Sequence, residues 1–133
     1  TLITILFISL LSSPSWSETM GDLVIREGVY YQKFTDVPFT GEITGTHQGS
    51  IKNGKWVGAM VTYHDNGQLF YKQNYKNGML EGAFIGYYEN GSLFEKGNYK
   101  NGKKEGPWVF YNEDGTIFES LTGTFKNGEL ISD

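Results

Sequence analysis

A four-residue motif ending in Asn-Gly recurs along this chain at nearly constant spacing. Its copies lie at residues 51–54, 75–78, 99–102 and 125–128, so successive copies are 24, 24 and 26 residues apart. A fixed period of this size is typical of repeat proteins, in which each unit buries its surface against its neighbours. The chain is therefore predicted to be a tandem array of one small structural unit.

A second glycine-containing turn lies midway between these motifs, at residues 65–67, 89–91 and 113–115. The two turn series leave segments of about seven to nine residues, a spacing that indicates an all-β meander. Asn-Gly favours a type I′ hairpin turn, because that turn needs φ > 0 at both central residues. We predict tandem antiparallel β-hairpins of about 24 residues each, forming an elongated twisted meander sheet.

Superposing the repeats aligns aromatic side chains in columns. If the hairpins continue without interruption from their two-residue loops, Tyr71 pairs with Phe84 on one face and Phe70 with Ile85 on the other. The last unit contains two extra residues. Since side chains alternate with period two along a strand, this even insertion predicts that Phe125 shares a face with Tyr99.

The first seventeen residues differ from the rest. Residues 2–11 form an apolar run, and small residues precede a predicted cut before Glu18. This pattern is typical of a secretory signal peptide, and the run is shorter than the roughly 20 residues that span a bilayer. We interpret residues 1–17 as a signal peptide that is incomplete at its N-terminus and expect export. A buried N-terminal strand is the alternative.

Residues 18–48 are predicted to form an N-terminal cap, and residues 49–133 the repeats. The terminal units of an array are atypical because they cover an otherwise exposed end. The chain of 133 residues has no cysteine, so neither a disulfide nor a thiolate metal site is expected. Its net charge of −4 and scattered lysines give no reason to expect nucleic acid or an anionic membrane surface as partner.

The spacing Gly-x3-Gly-x4-Tyr-x3-Gly recurs at residues 54–67, 78–91 and 102–115. It resembles the MORN repeat, and more closely the variant found in bacterial proteins of the YwqK antitoxin family. Residues 97–108 followed by Tyr111 carry this similarity, as does the segment 36–41. The resemblance implies a sheet of antiparallel hairpins, binding to proteins or membranes, and, for the antitoxin family, neutralisation of a toxin by binding. It implies no catalytic residues.

Motifs for catalysis are not found in the sequence. The two histidines, His47 and His64, are too few for a zinc site, and the acidic turns lack the spacing of calcium loops. No nucleophile elbow, P-loop or metalloprotease motif is present. We therefore predict a protein that is not an enzyme and that has no cofactor or metal.

Two readings of the aromatic columns remain open. They form either an internal ladder or a surface that binds a protein partner, since aromatic side chains are common anchors of interfaces. The predicted partner-binding residues are Tyr63, Phe84, Tyr87, Tyr88, Trp108 and Tyr111. The alternative function is a cell-wall or glycan-binding module, in which such rings would stack on sugars. Periplasmic or secreted localisation in a bacterium is expected for either function.

Overall fold

The computed structural model describes residues 17–132, which consist almost entirely of β-strands. Apart from Ser17, the predicted signal peptide lies outside the described residues. The strands are β1 (Ser17–Thr19), β2 (Leu23–Arg26), β3 (Val29–Gln32), β4 (Gly41–Thr44), β5 (His47–Lys52), β6 (Lys55–Tyr63), β7 (Leu69–Lys76), β8 (Met79–Leu80), β9 (Gly82–Tyr87), β10 (Leu93–Lys100), β11 (Lys103–Phe110), β12 (Gly123–Lys126) and β13 (Glu129–Ser132). Within this range, the only helical segments are two 3₁₀ turns, Met20–Asp22 and Glu119–Leu121.

One eleven-stranded sheet forms the body of the molecule. Its strand order is β1-β4-β5-β6-β7-β9-β10-β11-β12-β13, with the short β8 paired to β7, while β2 and β3 form a separate hairpin. All pairs are antiparallel except β1 with β4. The predicted all-β meander of antiparallel hairpins is confirmed.

The Asn-Gly turns have the predicted conformation. Asn77 and Gly78 have φ values of 50° and 76°, and the equivalent pairs at residues 53–54, 101–102 and 127–128 are also positive. Lys76 pairs with Met79 across this turn. Positive φ at both central residues is the property that distinguishes type I′ turns and matches the twist of the strands.

Each repeat also contains a two-residue interruption of its ladder, which the sequence prediction missed. Tyr75 pairs with Leu80, but Tyr71 pairs with Gly86 rather than with Phe84. The Glu81 amide still donates to the Asn74 carbonyl oxygen at 2.9 Å, so the two extra residues follow Glu81. Gly82, at the start of this interruption, has a φ of 87°. The predicted pairing of Tyr71 with Phe84 is therefore wrong, although an even shift leaves both side chains on one face.

The same interruption occurs in the neighbouring units. Gly58 and Gly106 have φ values of 70° and 74°, and the ladders shift register beside each of them. Glycine adopts this left-handed conformation without a steric penalty. The glycine column at positions 58, 82 and 106 thus produces one bulge in every repeat.

Aromatic and aliphatic side chains form two core clusters. The N-terminal core comprises Leu23, Phe39, Ile43, Ile51, Trp56 and Met60. The C-terminal core comprises Phe84, Trp108 and Phe110, with Tyr71, Leu80, Tyr99 and Phe125 packed against it. Phe125 and Tyr99 thus pack on the same cluster, as predicted from the even insertion.

Backbone hydrogen bonds hold the segment before the repeats against the first Asn-Gly turn. The Tyr30 amide donates to the Gly54 carbonyl oxygen at 2.8 Å, and the Gly54 amide donates to the Phe39 carbonyl oxygen at 2.7 Å. Leu23 and Phe39 are buried beside Trp56 in the N-terminal core. Because these contacts cover Trp56, the segment contributes to the core as well as preceding it.

Candidate functional site

A cleft of about 420 Å³ opens at the end of the sheet that carries the acidic turns. It lies where the β6–β7, β9–β10 and β11–β12 connections meet. Its lining is mainly aromatic and consists of His64, Phe70, Tyr71, Tyr87, Tyr88, Glu89, Phe94 and Glu113. This volume falls within the range of about 300–1,000 Å³ that is usual for ligand pockets.

Phe70 is directed into the cleft by a bulge in β7. Tyr63 pairs with Leu69 and Thr62 with Tyr71, so Phe70 has no partner in the ladder. Its ring centroid lies 3.8 Å from that of Tyr71. The predicted placement of Phe70 opposite Ile85 is wrong, because Ile85 pairs with Lys72. Nor does Phe70 lie on the other face from Tyr71, since a bulge brings neighbouring side chains to one side of the sheet.

Phe94 occupies the equivalent bulge in β10. Leu93 pairs with Tyr87 and Glu95 with Gly86, which leaves Phe94 unpaired in that ladder. The Phe94 ring meets the Tyr88 ring edge to face, with their centroids 5.0 Å apart. Two successive bulges thus place two phenylalanines in the same cleft.

Hydrogen bonds between successive turns fix the cleft walls. His64 donates from Nε2 to the Tyr87 carbonyl oxygen at 2.8 Å, and Tyr88 donates from its hydroxyl to the Tyr111 carbonyl oxygen at 2.7 Å. Asn66 likewise donates from its amide group to the Glu89 carbonyl oxygen at 2.9 Å. Each bond joins a residue to one about a repeat later, so the turns are held in a fixed row.

Charge is distributed unevenly between the two ends of the sheet. The acidic edge, which we define as the turns at residues 65–67, 89–91 and 113–115, carries Asp65, Glu89, Glu113 and Asp114. The opposite end, at the Asn-Gly turns, is positive on balance: it carries three glutamates, Glu81, Glu105 and Glu129, and six lysines, Lys52, Lys55, Lys76, Lys100, Lys103 and Lys126. The lining of the cleft accordingly includes two glutamates and no lysine or arginine.

A partly buried ion pair lies in the C-terminal core beside the cleft. Lys104 Nζ is 3.2 Å from Glu95 Oε2, and these side chains are 24% and 10% exposed. The same ammonium group lies 4.1 Å from the Trp108 ring centroid and 4.2 Å from that of Phe110. The fold therefore holds one of its own cations between aromatic rings and a carboxylate.

Burial alters the acidity of the tyrosines on this face. It raises the pKa of Tyr99 to about 12, with a smaller contribution from the negative charge of Glu95. The pKa of Tyr71 is raised for the same two reasons, and that of Tyr75 mainly by burial. These hydroxyls are therefore protonated at physiological pH and available as hydrogen-bond donors.

The six predicted partner-binding residues do not lie together. Tyr87 and Tyr88 line the cleft, whereas Tyr63 and Tyr111 are half-buried outside its lining. Phe84 and Trp108 are only 7% and 1% exposed and form the C-terminal core, so neither offers surface to a partner in this structure. For these two the reading as an internal ladder holds, because their column points into the core.

Sequence reasoning did not select Phe70, Phe94 and His64 as site residues. The aligned column of phenylalanines at positions 70, 94 and 118 was visible in the sequence. The position of these phenylalanines at the cleft depends on β-bulges, which can be identified only from the pairing of the strands. His64 lay in a turn and had no metal-binding partner, and its role as a hydrogen-bond donor between turns required the three-dimensional arrangement.

No group of three or more His, Cys, Asp or Glu side chains in residues 17–132 is arranged to hold a metal ion. Nor does that range contain a helix long and apolar enough to cross a membrane.

The fold and the cleft define a tandem β-hairpin repeat protein with an aromatic groove at one edge. Comparison with protein families gives the type of repeat: residues 56–77 and 80–101 each match the MORN repeat variant. The chain therefore contains MORN repeats, and the two matched segments hold most of the cleft lining. No curated protein matches this chain.

Proposed function

We propose that this chain is an exported, non-enzymatic repeat scaffold that binds a protein partner through the aromatic cleft. The observation that carries the proposal is the cleft itself, in which the partly exposed side chains of Tyr87, Tyr88 and Phe94 converge. Aromatic side chains in a concave site are common energetic anchors of protein interfaces. The sequence contains no nucleophile elbow, P-loop or metalloprotease motif, which agrees with a role in binding.

The rigidity of the cleft walls favours binding. Ordering flexible groups costs affinity when a complex forms, so preformed walls reduce that cost. Here the walls are held by the hydrogen bonds from His64 to Tyr87 and from Tyr88 to Tyr111. A partner side chain would enter a site whose shape already exists.

The resemblance to the YwqK antitoxin family points to one type of partner, a toxin that this protein would neutralise by binding. In that case the cleft would cover a surface that a toxin needs for its activity. The N-terminal apolar run would direct this chain out of the cytoplasm, so the toxin would have to be met there. Export is proposed from residues 2–17 of the sequence alone.

Glycan binding is the alternative function, and the aromatic rings of the cleft are the observation that favours it. Sugars stack on flat, exposed rings, and Tyr87 and Tyr88 are each only half-exposed. Trp56 and Trp108, which would offer the largest flat surfaces, are 6% and 1% exposed. We therefore place protein binding first.

A matched pair of variants tests the proposal. Tyr63 and Tyr87 occupy equivalent positions in successive repeats and are both half-buried, but only Tyr87 lines the cleft. The tagged protein would be cross-linked in its own cells and recovered, and its bound proteins identified by mass spectrometry. We expect one stoichiometric partner with the unchanged protein and with Tyr63→Ala, and its loss with Tyr87→Ala.

Other outcomes would contradict the proposal. Retention of the partner by Tyr87→Ala would show that the cleft is not the binding site. Co-sedimentation with insoluble wall polymer, reversed by soluble sugar, would favour the glycan-binding alternative. Recovery of the protein from the cytoplasm alone would contradict export.

A further inference from the structure

The aromatic cleft lies at the negatively charged end of the sheet. Its lining includes Glu89 and Glu113, which are both exposed, and no lysine or arginine. Six lysines of the repeats lie at the opposite turns, whereas Lys72 and Lys96 lie in mid-strand. With strands of about eight residues, the two ends are roughly 26 Å apart. This distance exceeds the screening length of roughly 8 Å at physiological salt, so the positive end does little to cancel the charge at the cleft.

Aromatic rings strengthen the preference for a cation. The face of a phenol or benzene ring attracts an ammonium or guanidinium group within about 6 Å of its centre. The cleft presents rings of Phe70, Tyr87, Tyr88 and Phe94 around a volume of about 420 Å³. An anionic group would meet both the carboxylates and the ring faces unfavourably.

The chain contains an internal example of the same chemistry. The Lys104 ammonium lies 3.2 Å from Glu95 and 4.1–4.2 Å from the centroids of Trp108 and Phe110. Its aliphatic stem can lie along the rings while its charged end stays near a carboxylate, as long basic side chains commonly do. Aromatic rings combined with a glutamate therefore already hold a lysine on this face of the sheet.

We propose that the cleft binds the charged end of a lysine or arginine side chain on the protein partner. The inference rests on the proposed function and specifies its chemistry. The aliphatic part of the partner's side chain packs between Phe70 and Phe94, and its cationic group lies beside Glu89 and Glu113. A basic segment of the partner is thereby selected over an acidic or purely apolar one.

The direct test is a titration followed by nuclear magnetic resonance. N-acetyl-lysine amide and N-acetyl-arginine amide would be added to the isotope-labelled protein, with the neutral N-acetyl-norleucine amide as control. We expect the cationic probes to shift the amide signals of His64, Tyr87 and Tyr88, and the shifts to diminish as salt is added. Equal binding of the norleucine probe, or no shift at these residues, would overturn the proposal.

Charge-neutralising variants make the test specific to the two glutamates. In Glu89→Gln/Glu113→Gln we expect the cationic probes to bind about three- to tenfold more weakly, since exposed charges each contribute modestly. The control Glu119→Gln/Glu129→Gln removes two exposed acids elsewhere and should leave binding unchanged. Equal weakening in both pairs would mean that only the net charge matters and would contradict a defined site.

Failure of this inference can be separated from failure of the proposed function. If the natural partner is lost with Tyr87→Ala but retained by Glu89→Gln/Glu113→Gln, the cleft binds protein without selecting a cation. If Tyr87→Ala retains the partner, the proposed function itself fails. If both variants lose the partner while remaining folded, both conclusions stand.

Discussion

The indole of Trp108 lies directly on Gly97 of the neighbouring strand, leaving no room for a side chain at that position. Trp108 is 1% exposed and donates from Nε1 to the Asn98 carbonyl oxygen at 3.0 Å. Because glycine has no side chain, the large ring can lie against the backbone and fill the core without displacing the neighbouring strand. Together, Gly97 and Trp108 form the centre of the C-terminal core.

Gly97→Ala should therefore destabilise the protein by about 3 kcal/mol, because the added methyl group overlaps the indole and the core cannot expand without strain. Gly106→Ala is the matched control for the loss of a glycine. It meets no atom within 4 Å but requires a φ of 74°, so we expect a loss of about 1–2 kcal/mol. Urea unfolding of both variants measures the difference, and equal losses would contradict the packing described.

The Glu95–Lys104 ion pair should show strong coupling. Lys104→Met keeps the stem among the rings but leaves the Glu95 carboxylate without its cation, at an expected cost of about 2–3 kcal/mol for a pair that is mostly buried. The double variant Glu95→Gln/Lys104→Met should recover to within about 1 kcal/mol of the unchanged protein. A double-mutant cycle measures this coupling, and additive losses would show that the two groups do not interact.

Stability should fall at high pH because of the buried tyrosines. The pKa of Tyr99 is raised from 10.0 to about 12. The folded state thus holds the phenol proton more tightly than the unfolded state. Its contribution is complete below pH 10 and is lost as the pH rises toward 12.

Unfolding followed as a function of pH, together with phenolate absorbance, tests this account. Tyr99→Phe should make the decline between pH 10 and 12 shallower, since Phe has no proton to lose. Tyr71 and Tyr75, whose pKa values are also raised, should leave a residual decline. A pH profile unchanged by Tyr99→Phe would contradict the role given to its burial.

The segment before the repeats should be needed for a stable fold. Phe39 is 6% exposed in the N-terminal core, so Phe39→Ala should cost about 3–5 kcal/mol. Phe34 is fully exposed and provides a control of the same residue type, for which we expect a change within about 0.5 kcal/mol. Thermal unfolding distinguishes the two, and a small loss with Phe39→Ala would mean that the repeats fold without this contact.

The hairpin repeats could be predicted because their turns are specified locally. Asn77 and Gly78 both have positive φ, as the Asn-Gly pair requires, and this one turn fixes the pairing of Lys76 with Met79. The face of the sheet on which Phe125 lies could also be predicted. Side chains alternate between faces along a strand, so an insertion of two residues leaves Phe125 on the same face.

The cleft could not be predicted because it depends on departures from regular pairing. The bulge at Gly82 moves the partner of Tyr71 from Phe84 to Gly86, and the bulge at Phe70 turns that ring toward Tyr71. In sequence, Trp108 and Tyr87 are both aromatic residues in repeated columns. Only the packing of the C-terminal core shows that the first is buried and the second is accessible at the edge.

The central claim is that a protein partner contacts the cleft at the acidic edge. A photoreactive amino acid placed at Glu89, in the cleft lining, tests it most directly, with the same substitution at the exposed Glu129 of β13 as control. After irradiation of living cells, we predict one discrete protein adduct from position 89 and none from position 129. The same adduct from both positions, or an adduct from position 129 alone, would contradict the account.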